Sequence, residues 1–254
     1  MNIVGIIPAR MGSVRFPGKP LKKIHGMPMI GHCYHRTVMT VGIDAVYVAT
    51  CDVEIAEYIK SIGGNVVMTA DTHTRATTRT AEALEKIELK TGKLIDIVVL
   101  VQGDEPLISP HTISETIPPF DDELVDIVNI MSRLKTEESF RDVNNVKVAV
   151  DCNSNALYFS REPIPSPWNG WQDIPKYMQT GIIAFRRSTL MDFNAMEESE
   201  LEKIESVDMN RVLEAGQKIK MILTDATTIG VDTPEELLAV EKILVNDLIM
   251  GSYL

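Results

Sequence analysis

Ile3-Val4-Gly5-Ile6-Ile7-Pro8-Ala9-Arg10 runs directly into Met11-Gly12-Ser13-Val14-Arg15-Phe16-Pro17-Gly18-Lys19-Pro20-Leu21. The apolar run over 3–7 has the length of a buried strand and ends at a proline. The loop behind it carries Gly12 and Gly18 among three cations, Arg10, Arg15 and Lys19. Glycine lets backbone N–H groups close on a ligand with no Cβ in the way. Arg and Lys add fixed positive charge and N–H donors for phosphate oxygens. A strand that opens into such a loop suits a polyphosphate at the edge of a sheet. A solvated surface loop is the plainer alternative. The alternation of charges with turn residues straight after a strand favours the phosphate.

Working outward, further strands are predicted over 45–49, 65–68 and 97–101, with helical patterns over 29–41, 53–62 and 77–89. Short apolar strands alternating with amphipathic helices are βαβ units, so the fold class is α/β with a mostly parallel sheet flanked by helices. Ligands in such sheets sit at the carboxyl ends of the strands. Both the 10–19 loop and the 102–106 loop fall at such ends and are expected to face one another. The second half is mixed. Strands over 146–150 and 156–159 flank Asn153-Ser154-Asn155 as a hairpin, and 180–185 reads as another strand. Pro163, Pro165, Pro167 and Pro175 bracket Trp168-Asn169-Gly170-Trp171, which breaks regular structure. The two tryptophans are expected in a hydrophobic clasp or a dimer contact rather than a base-stacking platform. Thr233-Pro234-Glu235-Glu236 has the spacing of a capping box with proline at the first helical position. Leu237, Val240, Leu244 and Leu248 follow as one apolar stripe. The chain reads as one domain: a nucleotide-binding half over 1–145, an acceptor and dimerisation lobe over 146–225, and a C-terminal metal-site segment and helix over 226–254.

Composition narrows the function. The chain has 254 residues, 44% of them hydrophobic, enough to fill a core, and no run reaches a membrane span. No secretory signal is read at the N-terminus, so the expected location is the cytoplasm. Cys33, Cys51 and Cys152 are scattered, without a C-x-x-C, which fits a reducing compartment and argues against a disulfide framework or a zinc site. The net charge of −11 argues against a general nucleic-acid binder. An acidic chain that handles a triphosphate must concentrate its cations, as Arg10, Arg15 and Lys19 do, and a divalent metal would complete the charge balance. His32-Cys33-Tyr34-His35 lacks the ligands and spacing of a metal site and reads as a helix packed on the sheet.

The loop is neither G-x-x-x-x-G-K-[ST] nor G-x-G-x-x-G, which excludes a P-loop NTPase and the dinucleotide fingerprint. Its pattern P-A-R-x-x-S-x-R-x-P-G-K-P-L resembles the signature of the cytidylyltransferases that activate 3-deoxy-manno-octulosonate (Kdo), an eight-carbon acidic sugar. Val101-Gln102-Gly103-Asp104-Glu105-Pro106, Asn145-Val146-Lys147-Val148, Ala156-Leu157-Tyr158-Phe159-Ser160-Arg161 and Gly230-Val231-Asp232-Thr233-Pro234-Glu235 resemble that family in the family's order. The resemblance covers nearly the whole chain. It implies a Rossmann-like nucleotidyltransferase fold with a smaller mixed lobe, CTP as nucleotide, Mg2+ as cofactor and a homodimer.

Nucleotidyl transfer needs a clamp on the triphosphate, a metal to offset charge at the α-phosphate and an aligned nucleophile. Magnesium takes one or two carboxylates plus phosphates and water. Asp104 follows the apolar run 97–101, where a carboxylate is costly unless a cation or donor meets it. Asp232 precedes the Thr233 cap, where the helix dipole alone would favour it. The resemblance assigns both to the metal, with Glu105 a weaker candidate beside Asp104. It implies Arg10 and Lys19 on the triphosphate and the leaving pyrophosphate, and Ala9, Ser13, Arg15, Thr77, Arg79 and Gln102 around the nucleotide. Gln102 offers both a donor and an acceptor, as base or ribose recognition demands. The catalytic set is thus Arg10, Lys19, Asp104 and Asp232.

The chain departs from the family in three segments. The family's H-x-S-G-T-E-R segment stands here as His73-Thr74-Arg75-Ala76-Thr77-Thr78-Arg79, which keeps Thr77 and Arg79. Its H-L-G-I-Y-G-Y becomes Gln179-Thr180-Gly181-Ile182-Ile183-Ala184-Phe185, and its L-E-Q-L-R becomes Val207-Asp208-Met209-Asn210-Arg211. Arg161, Gln179, Asp208 and Arg211 remain as candidate acceptor-binding residues. Ile183 and Met209 cannot hydrogen-bond a sugar, so Kdo itself is expected to be a poor substrate and another acidic acceptor a better one. The leading reading is a CTP-dependent transferase of CMP to Kdo or a related sugar acid, for surface polysaccharide synthesis. The alternatives are a phosphate or phosphonate acceptor, which Arg75 would suit, and a nucleotide-binding regulatory protein without turnover.

Overall fold

The computed structural model describes residues 1–13, 15–172, 174–226 and 229–254; Val14, in the opening loop, lies outside them. The chain forms two compact units, Met1–Ser114 with Thr227–Leu254, and Glu115–Ala226.

In the first unit, strand β1 (Ile3–Ala9) is buried along its whole length. The short strands β2 (Lys23–Ile24) and β3 (Met27–Pro28) pair antiparallel and lead into helix α1 (Met29–Val38). Then follow β4 (Ala45–Thr50), α2 (Val53–Ser61), β5 (Asn65–Met68), α3 (Ala76–Thr91), β6 (Ile97–Val101) and α4 (Pro110–Ser114). β1 pairs parallel with both β4 and β6, and β4 pairs parallel with β5, giving the order β6-β1-β4-β5. The continuous apolar run of β1 follows from its place inside this order, since a strand covered on both faces has no polar side. α1 and α3 pack on β1, and α2 packs on β4 and β5. Gly5 permits the approach of α1, because a Cβ there would stand 2.9 Å from the Thr37 methyl group. The His32 ring bonds Tyr253 Oη at 2.9 Å and the Ile24 carbonyl at 2.9 Å, so its two nitrogens brace the helix.

The second unit contains β7 (Ile127–Arg133), α5 (Glu137–Arg141), β8 (Lys147–Val150), β9 (Ala156–Ser160), β10 (Tyr177–Arg186), α6 (Arg187–Ala195), α7 (Glu200–Glu205), α8 (Met209–Glu214) and β11 (Lys220–Thr224). β10 is antiparallel to β7 and β8, β8 and β9 form the expected hairpin, and β11 runs parallel to β7. The expected boundary near residue 145 moves to residue 114, because β7 is hydrogen-bonded between β10 and β11 and draws 115–145 into this unit. The Trp171 and Phe140 rings pack with centroids 5.8 Å apart, and the ammonium of the buried Lys176 lies 4.0 Å from the Trp171 centroid. Trp168 is exposed.

The chain returns to the first unit through α9 (Pro234–Leu244), which opens with the full capping box at Thr233 and Glu236. Leu237, Val240 and Leu244 join an apolar cluster with Phe16, Ile24, Met29, Leu107, Val231 and Met250. Leu248, expected on the same stripe, is 92% exposed, because the helix ends before it. No described helix is long and apolar enough to cross a membrane.

Candidate active site

The loop after β1 is shaped by its own small residues. The Ser13 and Gly18 N–H groups both donate to the Met11 carbonyl at 3.0 Å, and Gly18 takes the left-handed conformation (φ 71°) that this return requires. Ser13 Oγ accepts the Phe16 N–H at 3.3 Å. Asp52 accepts the Met11 N–H at 2.8 Å and so ties the loop to the end of β4. The sequence reading missed Asp52. Its position directly beyond a parallel strand was the available signal.

The loop cations lie on the two candidate metal carboxylates. Lys19 Nζ donates to Asp104 Oδ2 at 2.6 Å, to Asp232 Oδ1 at 2.8 Å and to the Val231 carbonyl at 3.0 Å, which uses all three of its N–H bonds. Arg15 donates to the other oxygen of Asp232 at 2.7 Å. The Lys19 side chain is only 12% accessible. Burial works against its charge, but attraction to Asp104 and hydrogen bonds to both carboxylates outweigh burial and raise its pKa above the ordinary lysine value.

Carboxylates so far apart in the chain meet for structural reasons. The Val231 N–H donates to the Asp104 carbonyl at 2.8 Å, joining the two segments. Leu107, just past Asp104, and Val231, just before Asp232, are buried in the same apolar cluster. Gly103 lets its segment lie against β1, since a Cβ there would stand 3.0 Å from the Pro8 carbonyl oxygen. Glu236 accepts the N–H groups of both Asp232 (2.7 Å) and Thr233 (2.9 Å), so the cap of α9 also holds the Asp232 backbone. Thr233→Ala removes the acceptor for the Glu236 N–H. Loss of such a cap costs about 1 kcal/mol, so the melting temperature should fall by about 3 °C. An unchanged melting curve would show that the cap contributes nothing here.

The remaining candidates in this unit are arranged less tightly. Arg10 is exposed and donates to the His73 carbonyl at 3.2 Å. The His73 ring contacts Thr78 Oγ1 at 3.0 Å and, more closely, Glu82. Burial opposes the Glu82 charge, but bonds from Lys86, the Ala70 N–H and His73 bring its pKa down to about 2. Arg79 is buried and donates to Thr69 Oγ1 and the Ala70 carbonyl, while its Nη2 has no partner among the described residues. Ala9 and Thr77 are buried, and Gln102 is half-buried just beyond β6. Ala9, Arg10, Ser13, Arg15, Lys19, Gln102, Asp104 and Asp232 therefore lie at or just past strand ends or beside α9, with Thr77 and Arg79 in the first turn of α3.

The candidate acceptor residues lie in the second unit. Arg211 forms a two-pronged ion pair with Glu202, at 2.6 and 2.9 Å, and donates to the Phe193 and Met196 carbonyls. With side chains 6% and 0% accessible, this is an internal strut. Four of its five N–H groups are bonded inside the unit, which gives Arg211 a structural role there. Arg161 donates to the carbonyls of Val143 and Glu205 and is likewise committed to backbone. Gln179 and Asp208 are half-buried. Ile183 and Met209, 5% and 0% exposed, fill the core of the unit. Their apolar character is a packing requirement, and the inference from them to a poor Kdo substrate loses its physical basis.

Residues 4–219 match the family model described as Cytidylyltransferase. A 3-deoxy-manno-octulosonate cytidylyltransferase of Syntrophus aciditrophicus is 42% identical, over 96% of this chain and 98% of that protein. The chain belongs to the Kdo cytidylyltransferase family. Another relative at 39% identity, over 97% of this chain and all of that protein, is an 8-amino-3,8-dideoxy-manno-octulosonate cytidylyltransferase of Shewanella pealeana. Family membership extends to the fold. A CMP:2-keto-3-deoxy-manno-octonic acid synthetase complexed with CTP superposes with a TM-score of 0.89 at 36% identity, over 98% of this chain and all of that one. The expected α/β nucleotidyltransferase architecture is thereby established for this chain.

Proposed function

We propose that this cytidylyltransferase moves CMP from CTP to Kdo, or to its 8-amino analogue, and releases pyrophosphate. The observation that carries the reading is the convergence of Asp104 and Asp232 with Arg15 and Lys19 at one point, in a chain of the Kdo family. The names of the relatives support both acceptors, and the CTP-bound neighbour supports the nucleotide.

In this reading an acceptor oxygen attacks the α-phosphorus of CTP, the bond to the β-phosphate breaks, and pyrophosphate leaves with the electron pair. Arg10, Arg15 and Lys19 neutralise the triphosphate and hold the leaving group. Gln102, Thr77 and Arg79 orient the cytidine. The donor set of Asp104 and Asp232 fits magnesium, since two carboxylate oxygens lie within 2.8 Å of one cation, the Lys19 ammonium. Bound there, magnesium would supply charge neutralisation at the α-phosphate and favour the ionised acceptor hydroxyl.

Pyrophosphate release from CTP, UTP, ATP and GTP, each with Kdo and with 8-amino-3,8-dideoxy-manno-octulosonate, tests the proposal. CTP with one of these acids should be turned over at a kcat/KM above about 10⁴ M⁻¹s⁻¹. Equal use of UTP would refute cytosine selection, and inactivity with both acids would refute the acceptor.

A further inference from the structure

Asp232 has both oxygens engaged by loop cations, Oδ1 by Lys19 and Oδ2 by Arg15, and Asp104 shares the Lys19 ammonium. The residues suited to the triphosphate and those suited to the metal thus neutralise each other. Lys19 reaches its position with all three N–H bonds made and little solvent access. We infer that Lys19 acts as an internal cation that keeps a divalent metal off Asp104 and Asp232 until a triphosphate draws the loop cations away.

The inference rests on the proposed metal role of the two carboxylates and adds an order to it. A divalent cation and an ammonium cannot both occupy the same pair of oxygens at bonding distance, because like charges at that separation repel strongly. The metal must therefore displace Lys19, leaving a partly buried ammonium without its anions, or wait until another anion receives it. The β- and γ-phosphates are that anion, offered to the loop that bears Lys19 and Arg15. Binding of metal and nucleotide becomes mutually dependent, and each ligand tightens the other by the same factor. The free enzyme keeps a neutralised site that discriminates against metal alone.

Manganese binding followed by electron paramagnetic resonance, with no nucleotide present, tests this. Wild-type enzyme should bind Mn2+ weakly at this site. Lys19→Gln should bind it at least tenfold more tightly, and Lys19→Gln/Asp104→Asn should lose that gain. Arg15→Gln, which frees only one oxygen of Asp232, should give a smaller gain and serves if the Lys19 variant does not fold. Lys19→Gln and Arg15→Gln both binding no more tightly than wild type would overturn the inference. The underlying metal assignment is judged separately, by solvent-proton relaxation of wild-type and Asp104→Asn enzyme with Mn2+ and CTP. If Asp104→Asn forms the same ternary complex as wild type, it is the metal assignment that fails.

Discussion

Asp104→Asn should lower kcat by about a thousandfold while the protein stays folded. Asparagine keeps the size and one acceptor oxygen but removes the charge that a magnesium ion needs. The local structure should persist, because Asp104 is anchored through its backbone, its carbonyl accepting the Val231 N–H. The Lys19 ammonium left behind still bonds Asp232 and the Val231 carbonyl, so the loss should be about 1 kcal/mol. The melting temperature should therefore shift by only a few degrees. Turnover at saturating CTP and Kdo across a magnesium series, beside a thermal melt, separates the two effects. A kcat close to wild type would remove Asp104 from the reaction.

The second large effect concerns stability. Arg211→Met should destabilise the protein by about 3–5 kcal/mol, because it leaves the Glu202 carboxylate buried without its cation. The thermal midpoint should fall by on the order of 10 °C or more. Adding Glu202→Leu should recover much of the loss, since replacing a buried pair with apolar groups is often neutral. A melting curve like that of the wild type, with only the KM for the acceptor raised, would return Arg211 to the acceptor site. The contrast with Asp104 lies in the charge left behind: the Lys19 ammonium keeps the Asp232 carboxylate, whereas the fully buried Glu202 carboxylate loses the Arg211 guanidinium.

Much of the fold was legible. The strands over 65–68 and 97–101 were read to the residue, and the Thr233–Glu236 capping box formed as its spacing required. These features depend on neighbours a few residues apart, so the pattern of apolar and capping residues suffices. Leu248 was misread because the helical period continues in the sequence after the hydrogen-bonded helix has ended. The unit boundary was misplaced because nothing local to 115–145 announces that β7 pairs with strands far along the chain.

In the site, the residue types were determined by the sequence alone: a cationic glycine loop after one strand, a carboxylate after another, a second carboxylate before a capped helix. Only the tertiary structure decided what each charge meets. Lys19 turns to carboxylates 85 and 213 residues away, and Arg211 turns inward to Glu202. Local periodicity encodes which face of an element is buried. The partner of a charge depends on which segments the core brings together and on how much water that packing excludes, and both are properties of the folded chain as a whole.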